Sequence, residues 1–209
     1  MHSTQTLVKL DIDLEALTKD CRRINNKLIK HYSKEIEQEQ FFYKEKYYTV
    51  LGQQIANAPL SSKLHDHYNV FHFPYREVYI LYQKVCRTFN EIKQYDDVYY
   101  LHAWLNYQQQ GEPIPAHHHW KGLFGLDRTY YATYCVSAEP SVTHFKFPDG
   151  TVINKDNQNN TICYSLDVGD LHWVDPWQGD TPRITISMNI IPQDYLLTSP
   201  FSNTWIPII

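Results

Sequence analysis

The second half of the chain, from Asp97 onward, is a series of short segments rich in β-branched and aromatic residues. Turn residues such as Pro148, Asp149 and Gly150 separate these segments. Short segments of this kind, bounded by turn signals, are typical of β-strands. About seven strands at this spacing predict an antiparallel sandwich or barrel. The segments are VYYLHAWLNY, TYYATYCV, SVTHFKF, TVIN, TICYSL, DLHWV and RITISMNII.

The first half of the chain contains two stretches with helical periodicity. Between residues 13 and 39 apolar residues recur every three or four positions, and Asp13 is a suitable N-cap. After Pro74 a second apolar stripe continues to about Tyr95. Residues 41–57 are aromatic and ambiguous, and two short strands would fit them. The histidine-rich segment LHDHYNVFHFP, residues 64–74, predicts a solvated loop or a pocket rim.

The length of 209 residues fits one domain, and no linker separates the helical half from the β half. We therefore expect a single domain over residues 1–209. Residues 1–100 are predicted to give mainly helical support and a pocket rim, and residues 100–191 the metal-binding β core. The apolar tail, residues 192–209, is expected to pack on the body or on a second subunit, which leaves room for a homodimer.

Composition excludes several functional classes. The net charge of −4 gives no reason to propose a nucleic-acid partner. No apolar run approaches the roughly 18 residues of a membrane span, and the N-terminus lacks the apolar core of a signal peptide. The four cysteines are far apart and form no C-x-x-C pair. That pattern favours a reducing compartment, so we expect a cytoplasmic protein.

The segment PIPAHHHWKG contains three consecutive histidines, residues 117–119. Residues i and i+2 of a strand project to the same face, so His117 and His119 are able to bind one ion while His118 points away. A third ligand must come from elsewhere in the chain. His172 is the best candidate because it lies at the start of a predicted strand.

Arg183 stands eleven residues after His172 and opens the alternating strand R-I-T-I-S-M-N. Arg183, Thr185 and Ser187 share one face of that strand. An arginine that faces a barrel interior needs an anion, because an unpaired buried charge is costly. The planar guanidinium suits a carboxylate particularly well.

These motifs resemble the 2-oxoglutarate/Fe(II)-dependent oxygenases of the prolyl-hydroxylase-like, double-stranded β-helix group. The resemblance covers about residues 100–191, with its elements in the family's order. W-L-N-Y, residues 104–107, resembles the segment before the first metal motif, and G-x5-H-x-H, residues 111–119, resembles that motif. H-x-V-x-P, residues 172–176, is similar to the distal-histidine motif, and Arg183 with Thr185 is similar to the R-x-S/T pair.

The resemblance implies an α+β protein with a double-stranded β-helix (jelly-roll) core and supporting N-terminal helices. It implies Fe(II) as the metal, 2-oxoglutarate and O2 as cosubstrates, and hydroxylation of a C–H bond. By analogy, the substrate is a peptidyl or free amino acid, or another small molecule. The resemblance further implies that the far carboxylate of 2-oxoglutarate pairs with Arg183 and Thr185. It also implies that tyrosine hydroxyls help to hold this carboxylate, with Tyr107, Tyr131 and Tyr134 as candidates.

The metal motif departs from the family at residue 119, where histidine replaces aspartate or glutamate. Imidazole suits iron, copper, nickel and zinc, so three histidines still bind Fe(II) but leave the site one negative charge poorer. The register within the run stays open, since His118 would replace a neighbour if it faced inward. Asp127 or another carboxylate would complete the site if only one histidine of the run bound.

Two other functional classes fit part of the pattern. Gly111 to His119 and Gly169 to His172 also resemble parts of the two cupin motifs, which would give a metalloenzyme that does not use 2-oxoglutarate. The glutamate expected after the H-x-H pair is absent, and Arg183 would then have no role. The second alternative is a non-catalytic β-barrel binding protein whose metal site is degenerate.

Overall fold

The computed structural model of the protein describes residues 5–32, 58–119, 128–147, 149–166, 171–196 and 204–209. The ambiguous segment 41–57, the end of the first predicted helix and Asp127 lie outside these ranges.

The described residues form two antiparallel sheets. The larger sheet has the strand order β1-β7-β4-β9-β2-β10, and the smaller has the order β3-β8-β5-β6. The strands are β1 Gln5–Lys9, β2 Tyr99–Gln108, β3 Ile114–His117, β4 Tyr130–Ser137, β5 Val142–Lys146, β6 Val152–Asp156, β7 Thr161–Leu166, β8 Leu171–Val174, β9 Arg183–Pro192 and β10 Ile206–Pro207.

The chain alternates between the two sheets from β2 to β9. Strands β2, β4, β7 and β9 lie in the larger sheet, while β3, β5, β6 and β8 lie in the smaller. Only the β5–β6 hairpin stays within one sheet. This winding is that of a double-stranded β-helix, and the predicted α+β fold is confirmed. Sequence analysis had not predicted β1, which adds to the edge of the larger sheet beside β7.

Two long helices cover one face of the larger sheet, as the periodicity predicted. They are α1, Leu14–His31, and α3, Arg76–Ile92, with the short helices α2, Leu60–Lys63, and α4, Gln193–Leu196. Asp13 caps α1, since its Oδ1 accepts a hydrogen bond of 3.0 Å from the Ala16 amide. Across the described parts of the chain, no helix combines the length and apolarity that a membrane span requires.

Strand β9 has one apolar face and one polar face. All ten of its residues are buried, because the helices cover one face and the smaller sheet covers the other. Residues alternate between faces along a strand. Ile184, Ile186, Met188 and Ile190 join the helix-side core. The opposite row is polar and faces the smaller sheet: Arg183, Thr185, Ser187 and Asn189.

Phe89 of α3 is the centre of the aromatic packing between helix and sheet. Its ring centroid lies 5.0 Å from Tyr99, 5.0 Å from Tyr130 and 6.1 Å from Tyr164. We expect Phe89→Ala to lower the free energy of unfolding by about 3–5 kcal/mol, because a buried cavity replaces the ring. Urea denaturation measures this change, with Phe89→Leu as a milder control. A loss below about 1 kcal/mol in Phe89→Ala would contradict this view of the core.

Candidate metal centre

Three histidine side chains converge between the two sheets. His117 ends β3, His119 follows two residues later, and His172 lies on β8. Pairing of β3 with β8 places His117 opposite His172. Each of the three residues offers a ring nitrogen, and these nitrogens lie within 4.8 Å of one another. His118 is not part of this cluster, so the structure brings together the three histidines that the sequence motifs had indicated.

Hydrogen bonds at Nδ1 fix which nitrogen of two rings faces the centre. His117 Nδ1 lies 2.7 Å from the Pro115 carbonyl oxygen, and His119 Nδ1 lies 2.9 Å from Asn189 Oδ1. Both oxygens accept hydrogen bonds, so each Nδ1 carries the proton and donates it. The Nε2 atoms of His117 and His119 are therefore left with lone pairs, which is the form that binds a metal.

The spacing of the nitrogens suits a shared ion. His119 Nε2 lies 3.2 Å from His172 Nε2. Two nitrogens bound at about 2.1 Å to one ion would be separated by roughly 3.0–3.4 Å, depending on the coordination angle. The residues present therefore fit a mononuclear metal such as Fe(II), for which imidazole is a suitable ligand.

Burial keeps two of these imidazoles neutral at physiological pH. It lowers the pKa of His117 to about 4, and the hydrogen bond to the Pro115 carbonyl offsets only part of this effect. Burial also lowers the pKa of His119 well below its ordinary value, with further contributions from His172 and His117. Because a ligand must be deprotonated before it binds, the site needs little proton release to accept a metal near neutral pH.

Aromatic rings fix the orientation of the two most buried histidines. Trp104 stacks on His119 with centroids 5.5 Å apart, and the Tyr131 ring lies 4.2 Å from that of His119. Phe145 stacks on His172 at 5.7 Å. These contacts restrict the rotation of both imidazoles and surround the cluster with apolar surface.

The polar row of β9 connects the histidine cluster with Arg183. Asn189 holds His119, and Ser187 Oγ lies 3.1 Å from the Tyr131 hydroxyl. Asn106 on the adjacent strand β2 donates hydrogen bonds to Ser187 Oγ at 2.8 Å and to Thr185 Oγ1 at 3.2 Å. Every polar side chain in the row thus has a partner, as buried polar groups require.

Arg183 is buried at the far end of this row, with 2% of its surface exposed. Its Nε donates a hydrogen bond of 2.8 Å to Ser141 Oγ, and its Nη1 donates to Gln108 Oε1. Among the residues that the structure describes, no carboxylate lies within 4.0 Å of this guanidinium. Burial lowers the pKa of Arg183, which still leaves a cation at neutral pH. A buried cation with neutral partners is suited to an anionic ligand.

The tyrosines predicted to bind the cosubstrate divide between the two faces of the larger sheet. Tyr131 pairs with Asn189 and lies on the face of the histidine cluster, as does Thr185. Tyr107 pairs with Ile184, and Tyr134 pairs with Ile186, so both lie on the helix-side face. The positions of Tyr107 and Tyr134 therefore differ from the expectation that both contact the cosubstrate. The reason is strand parity, because adjacent residues of a strand point to opposite faces.

Asp175 follows His172 by three residues, but its carboxylate pairs with a different histidine. In the structure its Oδ2 lies 3.0 Å from His144 Nε2, and the His144 ring stacks on Trp173 at 5.0 Å. These residues lie on the face of the smaller sheet that points away from the histidine cluster, since Phe145 and His172 occupy the inner face.

The histidine-rich segment 64–74 forms two single-turn 3-10 helices, His65–His67 and Val70–His72. They bring the His65 ring to 5.5 Å from Trp104, which itself stacks on His119. The segment therefore lies beside a residue that contacts the histidine cluster, and its role as a pocket rim stays a prediction.

Sequence reasoning assigned no role to four polar residues that support the site: Asn106, Gln108, Ser141 and Asn189, which accepts a hydrogen bond from His119. Asn189 was detectable, because it continues the two-residue period of Arg183, Thr185 and Ser187 by one further step. Asn106 stands in the W-L-N-Y motif, but its partners, like that of Gln108, could be identified only after the register between β2 and β9 was known. For Ser141, which lies outside any strand, we find no signal in the sequence.

Comparison with known proteins identifies the fold. No family model matches the chain, and no curated protein matches it in sequence. A prolyl-4-hydroxylase of Pseudomonas putida is 12% identical, with a TM-score of 0.51, over 92% of this chain and 88% of the other. The α-ketoglutarate-dependent epimerase SnoN of nogalamycin biosynthesis is 10% identical, with a TM-score of 0.54, over 91% and 78%. The non-heme monooxygenase ThoJ, apo form, is 12% identical, with a TM-score of 0.53, over 90% and 75%.

Two other matched structures, the carbocyclase SnoK and an oxidoreductase of Burkholderia pseudomallei, are spanned by this chain over only 59% and 58% of their length. Of the three neighbours with TM-scores above 0.5, SnoN is described as a non-heme, α-ketoglutarate-dependent enzyme and ThoJ as a non-heme monooxygenase. At these identities the likeness shows a shared fold. The double-stranded β-helix predicted from the sequence is therefore confirmed.

Proposed function

We propose that the protein is a 2-oxoglutarate- and Fe(II)-dependent oxygenase that hydroxylates a C–H bond. One observation carries this proposal: a cluster of three histidine nitrogens shares a buried polar face with an arginine that has no carboxylate partner among the described residues. A metal ligand set and an anion-binding group on one interior face are what a metal-chelating dicarboxylate requires.

Each residue then has a defined role. His117, His119 and His172 would hold Fe(II) through Nε2, and Asn189 orients His119 by accepting a hydrogen bond from Nδ1. Arg183 and Thr185 would bind the far carboxylate of 2-oxoglutarate, and Tyr131 and Ser187 lie on the same interior face. When bound, the metal and 2-oxoglutarate together activate O2 for hydrogen abstraction from a substrate, with succinate and CO2 as coproducts. The aromatic residues around the histidines exclude water from this chemistry.

Arg183 distinguishes this proposal from a cupin that does not use 2-oxoglutarate. A cupin of that kind has no need for a buried cation on the metal face, and the glutamate expected after the H-x-H pair is absent. The intact hydrogen bonding of the polar row also counts against a degenerate site. His119 is paired with Asn189, and Asn106 with Ser187, so the polar groups beside the cluster keep their partners.

For the substrate we propose an amino-acid side chain, either free or within a peptide. The similarity to a prolyl-4-hydroxylase over 92% of this chain supports this class. The structural neighbours also include an epimerase and a monooxygenase, so the fold accommodates several reactions.

The experiment is to purify the protein anaerobically, add Fe(II) and 2-oxoglutarate, admit O2 and measure succinate release. A panel of amino acids and peptides then identifies the substrate class by the increase in succinate and by the mass of the oxidised product. We expect succinate formation that requires Fe(II), O2 and 2-oxoglutarate together. Metal binding without 2-oxoglutarate binding would favour the cupin alternative, and binding of neither would favour the non-catalytic one.

Asn189 offers a separate test of how the metal ligand is oriented. Asn189→Leu removes the acceptor from His119 Nδ1 while it keeps a similar volume. We expect the Fe(II) affinity to fall about 10-fold to 100-fold, as is usual when the partner of a metal-binding histidine is lost. Asn189→Asp keeps the acceptor and adds a negative charge, so its affinity should match or exceed the wild type. Anaerobic calorimetry measures both, and equal affinity in all three proteins would contradict the orienting role.

A further inference from the structure

Lys155 and Cys163 contact each other between the two sheets. Lys155 lies on β6 of the smaller sheet and Cys163 on β7 of the larger sheet. Cys163 pairs with Thr133, which pairs with Ser187, so the thiol lies on the interior face of the larger sheet. Lys155 pairs with Thr143. Thr143 and Phe145 lie on the inner face of the smaller sheet, so Lys155 lies on that face as well.

The separation between Lys155 Nζ and Cys163 Sγ is 2.7 Å. An ordinary N–H···O hydrogen bond measures about 2.9 Å, and a bond to sulfur should be longer because sulfur is the larger atom. A direct covalent bond to sulfur is much shorter, as in a disulfide at about 2.0 Å. The observed distance lies between that of a covalent bond and that of a hydrogen bond. A single atom bonded to both the nitrogen and the sulfur would place them at such a separation.

The surroundings of Lys155 also set it apart from a surface lysine. Its ammonium donates a hydrogen bond of 3.0 Å to Gln5 Oε1, and within the described ranges no carboxylate lies within ion-pair distance of it. Both partners of the contact stand on paired strands, since β7 lies between β1 and β4, and β6 pairs with β5. The two side chains are therefore held in contact by the sheets rather than by chance on flexible loops.

We propose that Lys155 and Cys163 are a site of covalent modification by dioxygen, in which one oxygen atom bridges Lys155 Nζ and Cys163 Sγ. The bridge joins β6 to β7 and so ties the smaller sheet to the larger one. It is reversible by thiol reductants. The inference does not depend on the proposed oxygenase function, because dissolved dioxygen is its only oxidant.

The reaction balances with one molecule of O2. The thiol, the ammonium and O2 give the S–O–N bridge, one water and one proton. The S–H bond and two N–H bonds break, while one S–O bond and one N–O bond form. Sulfur and nitrogen each lose two electrons, and the four electrons reduce the two oxygen atoms, one of which leaves as water. Two equivalents of a dithiol reverse the process and release the second oxygen as water.

The test uses full-length protein exposed to air, then denatured and divided into reduced and unreduced samples. The chain has four cysteines, and all four are free of disulfides in the structure. We expect three titratable thiols before reduction and four after it. The unreduced protein should be heavier by one oxygen less two hydrogens. Trypsin should fail to cleave after Lys155 in that sample, because the bridged lysine is not a substrate, and should cleave there after reduction.

Variants distinguish the bridge from simple oxidation of a cysteine. Lys155→Arg and Cys163→Ser should each abolish the mass change, while Cys135→Ser, which alters the neighbouring interior cysteine, should retain it. Four thiols in the air-exposed wild type would overturn the proposal even if no variant folded. So would a mass increase of one full oxygen that persists in Lys155→Arg, since that is the signature of a sulfenic acid.

Discussion

Replacing His172 with alanine is expected to abolish succinate formation from 2-oxoglutarate and to weaken Fe(II) binding by at least about 100-fold. The loss should exceed the effect of removing a residue that only orients a ligand, which is about 10-fold to 100-fold. His172 Nε2 lies 3.2 Å from His119 Nε2, and the two nitrogens are expected to bind the same ion. Anaerobic calorimetry gives the affinity, and a coupled assay for succinate gives the turnover.

His144→Ala is the matched control for His172→Ala. His144 lies on β5, the strand adjacent to β8, but its ring points away from the histidine cluster and contacts Asp175 and Asn154. It should retain Fe(II) affinity and turnover within about twofold, since its partners are exposed and such contacts contribute little. Unchanged Fe(II) affinity in His172→Ala would rule out the three-histidine site.

Replacing Arg183 with methionine is expected to weaken 2-oxoglutarate binding by about 2–5 kcal/mol, which is roughly 30-fold to several thousand-fold in Kd. Methionine fills similar space without the charge, and the far carboxylate would then be buried without its cation. The 2-oxoglutarate affinity of Arg183→Lys should lie between those of the wild type and Arg183→Met, because lysine keeps the charge but loses the planar pair of donors. Calorimetry with Fe(II)-loaded protein measures all three.

Two observations separate loss of the cosubstrate site from loss of the fold. Fe(II) affinity in Arg183→Met should stay near the wild-type value, because the histidine cluster lies at the other end of the β9 row. Arg128→Met should bind 2-oxoglutarate normally, since Arg128 pairs with Asp97 and Asp194 outside the interior face. Normal 2-oxoglutarate affinity in Arg183→Met would remove the observation that carries the proposed function.

The sequence predicted the site best where residue type alone implies chemistry. The predicted strands contain an unusual set of residues: three consecutive histidines, a fourth histidine, and an arginine eleven residues after the fourth. The fold brings three of these histidines and the arginine onto one interior face. The short strands and their turn residues predicted the β architecture for a similar reason. Both depend on local patterns that a reader can count along the chain.

The prediction was weaker wherever the answer depended on pairing between distant strands. Tyr107, Tyr131 and Tyr134 are chemically alike, and only the register of β2 and β4 against β9 decides which of them faces the metal. A shift of one residue would exchange the two faces. The partners of Arg183 show the same limit, because Gln108 and Ser141 lie 75 and 42 positions away.

The interior face also accounts for histidine at position 119. Its ring is held by Asn189, Trp104 and Tyr131 through a hydrogen bond and two ring contacts. An aspartate is too short to make the same stacking contacts. The chain therefore surrounds this side chain with partners that suit imidazole.

The most direct test is an anaerobic calorimetric titration of 2-oxoglutarate into the protein with and without one equivalent of Fe(II). We predict that one equivalent of 2-oxoglutarate binds to the Fe(II)-loaded protein, that binding is at least tenfold weaker without the metal, and that a charge-transfer absorption band appears on mixing. Such linkage requires 2-oxoglutarate to contact the metal that the histidine cluster holds. Equal affinity with and without Fe(II), or no binding in either case, would contradict the proposed function.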